Sequence, residues 1–167
     1  MKKRLISVIG MLAVVSTMLF GQVLNAAAEE SDMKLVDGSY LTMEDSSEGS
    51  TVSNPMLRGE HLMDGNSGIS KAGTGRVYAY GATTANHQVD FIAVIVYVDK
   101  YNENTGKWNQ VATWTVEDEN TYYVSTGKTV LVDRGYFYRV HCDHFAGNRS
   151  QPMYDQDFSF TNGIFIP

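Results

Sequence analysis

Beyond about residue 67, apolar and polar positions alternate with a period of two. In "GRVYAYGAT", Val77 and Ala79 fall on one face and Tyr78 and Tyr80 on the other. "VDFIAVIVYVDKY" is apolar on both faces. Val89, Phe91, Ala93, Ile95 and Tyr97 face one way, and Ile92, Val94, Val96 and Val98 the other. Such a strand is central and covered on both sides, or one of its faces contacts something else. "NENTG" supplies a hairpin loop with Gly106 at a positive-φ position, and "KWNQVATWTVED" returns as the partner strand. "NTYYVS", "TVLV", "YFYRVHCDHFA" and "FSFTNGIFI" follow at short intervals, separated by turn residues. No stretch sustains a 3.6-residue period. The pattern predicts an all-β fold, a single antiparallel β-sandwich over residues 67–167.

The first 66 residues have a different texture. Lys2, Lys3 and Arg4 precede an apolar run from Leu5 to Phe20, and Ala26, Ala27 and Ala28 supply small residues at a cleavage point. This is the pattern of a signal peptide over residues 1–28, which predicts a secreted, extracellular protein. Residues 29–66 are acidic and poor in apolar groups ("EDSSEGSTVSNP"), and read as a flexible leader. Removing residues 1–28 leaves ten basic against nineteen acidic residues, a formal charge of −9. That balance disfavours nucleic acid and anionic membrane surfaces as partners.

Cys142 is the only cysteine, so stability must come from a hydrophobic core rather than from disulfides. Along residues 135–152, "GYFYRVHCDHFAGNRSQP", the alternation groups Tyr136, Tyr138, Val140, Cys142, His144 and Ala146 on the more apolar face. Phe137, Arg139, His141, Asp143 and Phe145 take the other. Cys142 and His144 are therefore expected inside, as structural residues. His141 and His144 point to opposite sides of the strand, and Cys142 points away from its neighbour His141. Neither a shared metal nor a thiol–imidazole pair follows. His141 and Asp143, about 7 Å apart by strand rise, share a face with Arg139 and offer the one constellation from which a small hydrolase could be built. No nucleophile elbow, dinucleotide loop or EF-hand is present, and no catalytic residue, metal or cofactor is assigned.

"LVDRGYFYRVHCDHFAGNRSQP" resembles the sixth strand of a fibronectin type III or immunoglobulin-like sandwich. Leu131, Gly135, Tyr136, Tyr138, Val140, Gly147 and Ser150 match that pattern. By this resemblance Tyr136 corresponds to the tyrosine-corner residue, whose hydroxyl bonds upstream backbone. "RGEHLMDGNSGISKAGTGRVYAYGATTA", with the "GKW" hairpin and "GYFYRVHCDHFA", is similar to an uncharacterised family of small exported proteins of Gram-positive bacteria. The resemblance marks Arg58, Gly59, Gly65, Ser67, Gly81, Thr83, Trp108, Tyr138, Arg139, Val140 and His144 as pattern positions, and implies no chemistry.

The aromatics of the central hairpin are the candidate ligand-binding residues: Tyr97, Tyr101, Trp108 and Trp114, with Tyr122 and Tyr123 nearby. Trp and Tyr on an open sheet face stack against sugars or anchor a protein. The expectation is a non-catalytic extracellular module whose partner is a protein or a glycan. A carbohydrate-binding module using these aromatics is one alternative and a small hydrolase another.

Overall fold

The computed structural model describes residues 33–51, 59–150 and 153–167. The signal peptide expected over residues 1–28 lies outside them, as does Arg58. The described residues form strands and no helix: β1 (Leu35–Val36), β2 (Ser39–Thr42), β3 (Ser46–Ser50), β4 (Leu62–Lys71), β5 (Arg76–Val89), β6 (Phe91–Asn102), β7 (Lys107–Asp118), β8 (Thr121–Leu131), β9 (Tyr136–Gly147), β10 (Asp155–Phe160) and β11 (Gly163–Ile166).

Two sheets pack face to face. One has the order β3-β4-β5-β8 and is antiparallel. The other runs β1-β2-β11-β9-β6-β7, with β10 also pairing β9. β10 and β11 are two halves of one broken edge: β10 lies along residues 141–146 of β9, and β11 along residues 136–138. Thr161, at the break, donates its amide to Val140 O and accepts the Val140 amide on its hydroxyl (2.9 and 3.0 Å). The ladder's backbone groups thus stay satisfied where the strand bends.

The core lies between the sheets. Ile92, Val94, Val96 and Val98 of β6 meet Val77 and Ala79 of β5 and Tyr138, Val140 and Cys142 of β9. The sequence-predicted inner face of β9 is seen from Tyr138 to Ala146. Gly81 permits the close approach of the sheets, because a Cβ there would lie 2.7 Å from Val96 and 2.8 Å from the Cys142 sulfur.

Three expectations are corrected. The acidic segment 29–66 is not a flexible leader where it is described, since β1, β2, β3 and the start of β4 all belong to the sheets. An edge strand such as "SSEGS" is held by backbone pairing to β4 and needs no apolar side chains. The hydroxyl-to-upstream-backbone bond expected of Tyr136 is not made by it: Tyr138 donates to Asp133 O (2.9 Å), and Tyr136 is exposed under the Lys100 ammonium. Burial, together with the Asp133 charge, pushes the Tyr138 phenol up to about 12. Finally, the hairpin aromatics do not share a face. A bulge at Val111, where Val98 pairs with Ala112 but Asp99 pairs with Gln110, inverts the alternation between Trp108 and Trp114.

Candidate functional site

The two outward-facing sheet surfaces carry the chain's polar and aromatic chemistry. On the larger sheet, register places Tyr97 opposite His141, Asp99 opposite Arg139 and Ile95 opposite Asp143. Asp99 lies at the centre. Its Oδ2 accepts from Arg139 Nε (3.2 Å) and from His141 Nδ1 (2.8 Å). Burial alone would push the Asp99 carboxyl up, but the bonds and charges of His141 and Arg139 outweigh it and hold the group below its ordinary value. The carboxylate fixes the proton of His141 on Nδ1. The His141 ring lies parallel on Tyr97, 4.3 Å between centroids, and Tyr97 donates to Asp143 (3.0 Å).

One end of this face, around Asp99, is covered. Asp37 and Gly38, both at positive φ, turn the β1–β2 hairpin so that Leu35 pairs Tyr40 and Val36 pairs Ser39. Arg139 reaches the hairpin through Asp37 O (2.8 Å) and Ser39 Oγ (3.0 Å). Its guanidinium sits over the Trp108 ring (4.7 Å), and Trp108 Nε1 donates to Val36 O (3.0 Å). Lys34 Nζ donates to the Tyr101 hydroxyl (2.6 Å). Tyr101, Asp99 and Arg139 are consequently buried. The four aromatic candidates thus separate. Tyr101 and Trp108 lie under the hairpin, whereas Tyr97 is half-exposed on the same outer face against His141. Trp114 turns inward against the core and donates to Thr126 (3.1 Å).

His144, as expected, is an internal residue. Thr83 donates its hydroxyl to Ala93 O, so His144 Nδ1–H donates to Thr83 (2.9 Å) and Nε2 accepts from Ser159 (2.8 Å). Burial pushes its pKa down to about 4, against a smaller opposing effect of Asp64. Gly65 makes room for the ring, which a Cβ there would overlap. Cys142 faces the core beside Tyr80 O, and burial, aided by Asp143, pushes its thiol up. His61 and His87 meet each other at 3.1 Å. Among the described residues no group of three His, Cys, Asp or Glu side chains is placed to hold a metal ion.

The outer face of the four-stranded sheet is open, and its aromatics were not among the sequence-stated candidates, Tyr123 apart. Tyr78, Tyr80 and Ala82 of β5 alternate outward beside Gly68 and Asn66 of β4, and Gly127 and Ser125 of β8. Thr84 pairs with Tyr123, four residues or about 13 Å along the strand from Tyr80. The phenol oxygens of Tyr80 and Tyr123 nevertheless lie 3.1 Å apart. Both side chains must therefore run along the sheet toward each other, with their rings laid down rather than standing upright. Tyr78 lies across Gly127, whose absent Cβ would collide with its phenol. Burial, and then the bond to Tyr123, pushes the Tyr80 phenol up to about 12, whereas bonds from Ser125 and Tyr80 lower that of Tyr123. Two shallow depressions, about 200 and 240 Å³, flank the Tyr80 ring, and Glu48 and Gly68 border both.

Fold and surfaces together define a two-sheet all-β module in which the β1–β2 hairpin covers one end of the larger sheet's outer face and the outer face of the smaller sheet is open. The chain belongs to the family of unknown function DUF6147, whose sequence profile matches residues 26–152. No curated protein and no solved structure matches it.

Proposed function

We propose that this chain is an exported, non-catalytic binding module that presents the open face of its four-stranded sheet to a partner outside the cell. The observation that carries the reading is the row of Tyr78, Tyr80 and Tyr123, two of them more than 40% exposed, laid on glycine and other small residues. Large aromatic area held in place by the backbone loses little entropy on binding. The signal-peptide pattern of residues 1–28 and the resemblance to exported proteins of Gram-positive bacteria support the location. The strand order supports a fibronectin type III-like sandwich: β4-β5-β8 against β7-β6-β9-β10, with Tyr138 at the corner. On the larger sheet's outer face, Arg139, His141 and Asp143 each have a structural partner, which favours a binding module over a hydrolase.

The purified protein is expected to co-sediment with envelopes of a Gram-positive bacterium. The pair Tyr78→Ala and Tyr123→Ala should weaken this about tenfold or more, which corresponds to about 1.4 kcal/mol. No sedimentation of the wild type, or equal sedimentation of both proteins, overturns the reading.

A further inference from the structure

We propose that the open tyrosine face binds a neutral polysaccharide chain, with sugar rings stacked on Tyr78, Tyr80 and Tyr123; this rests on the binding reading above. Three features select that ligand. First, the Tyr80 and Tyr123 side chains run along the sheet toward each other and Tyr78 and Tyr123 are more than 40% exposed, which leaves aromatic area of the kind on whose faces the C–H face of a pyranose packs. A strip of such faces, interrupted only by shallow depressions, fits an extended chain better than a compact small molecule, which needs an enclosing pocket.

Second, the frame around the rings is made of hydrogen-bonding groups. Ser46 and Ser70 border one depression and Asn66 the other, and the Glu48 carboxylate borders both. Hydroxyls, an amide and a carboxylate match the paired donor and acceptor character of sugar hydroxyls. Between Tyr78 and Tyr123 no large aliphatic side chain faces outward, so the strip offers aromatic stacking and hydrogen bonds without an aliphatic pocket.

Third, the charge on this face is acidic. Glu48 and Asp64 share it, with Arg76 at the far end of β5. Two carboxylates repel uronate, phosphate and sulfate groups, so the glycan that fits is uncharged. Asp64 is already committed, bonding Thr51 (3.1 Å) and Asn66 (3.0 Å), which orients the Asn66 amide beside the depression.

The test is affinity electrophoresis of the purified protein through gels carrying neutral glucan, mannan or galactan, with polygalacturonate as the anionic comparison. Retardation by at least one neutral polymer is expected, and none by polygalacturonate. Tyr78→Ala and Tyr123→Ala should each weaken it about tenfold or more. Gly127→Val, which adds a Cβ where the Tyr78 phenol lies, should weaken it likewise while circular dichroism stays native. Retardation by no neutral polymer, or retardation that all three variants retain, overturns the proposal. Envelope co-sedimentation separates this failure from failure of the wider reading. If it depends on the tyrosines, survives periodate cleavage of vicinal diols and is abolished by protease, the surface stands and the ligand is not a glycan. If it is indifferent to the tyrosines, both proposals fall.

Discussion

On the seven-stranded sheet, Tyr101 and Trp108 stand with Asp99 and Arg139 beneath the β1–β2 hairpin, and Tyr97 and His141 stack beside them. On the four-stranded sheet, Tyr78, Tyr80 and Tyr123 stand beside Glu48 and Asp64 and face solvent. The residue types are alike, but their roles differ because only one face acquires a lid. Beneath the hairpin, a charge has to find partners, and Asp99 takes two. In the open, Tyr80 and Tyr123 bond each other along the sheet, and Tyr78 and Tyr123 stay more than 40% exposed.

The comparison can be broken most severely at Arg139. Arg139→Leu leaves Asp99 buried with His141 alone and cuts both bonds to the hairpin, and should cost about 3 kcal/mol or more in denaturant unfolding. A cost below about 1 kcal/mol would mean that the hairpin does not seal that face. Next comes the pH response of the interior. The folded pKa of His144 is pushed below its unfolded value near 6.5. Its contribution is therefore fully present above about pH 6.5 and is lost as pH falls toward 4, by about 3 kcal/mol at most. Urea midpoints between pH 7 and 4 should show that slope, and His144→Asn should flatten it; equal slopes would sink the neutral-histidine assignment. The smallest effect is expected on the open face. Tyr78→Ala should change unfolding free energy by less than about 1 kcal/mol, so a larger cost would make the tyrosines structural rather than presented.

Much of the sandwich was legible in the chain. From Arg76 to Ala146, alternation found strand structure throughout, turned Cys142 and His144 inward and grouped Arg139, His141 and Asp143 outward, but it divided the continuous β8 into "NTYYVS" and "TVLV" and gave Val89, the end of β5, to the following strand. What escaped was set by long-range pairing. "SSEGS" has no apolar signature, yet it lines up against β4 and meets the strand break, where Asn162 N donates to Ser47 Oγ (2.9 Å). Asp37-Gly38 is a hairpin-turn dipeptide, but the acidic segment around it has too few apolar positions to mark the strands it joins. One extra residue at Val111 sent Trp114 inward, which no count of spacing reveals. Tyr78 and Tyr80 were placed on one face correctly, but their importance depends on that face staying bare, a property of the whole sandwich.

The position of Cys142 has a consequence for the reactivity of the molecule toward oxidants and alkylating reagents. Its sulfur is wholly enclosed and held as the thiol, so two folded copies cannot become covalently joined through it, and alkylating reagents have no access. Modification must wait for the sheets to separate, so the rate at which this one group is labelled would time the opening of the interior.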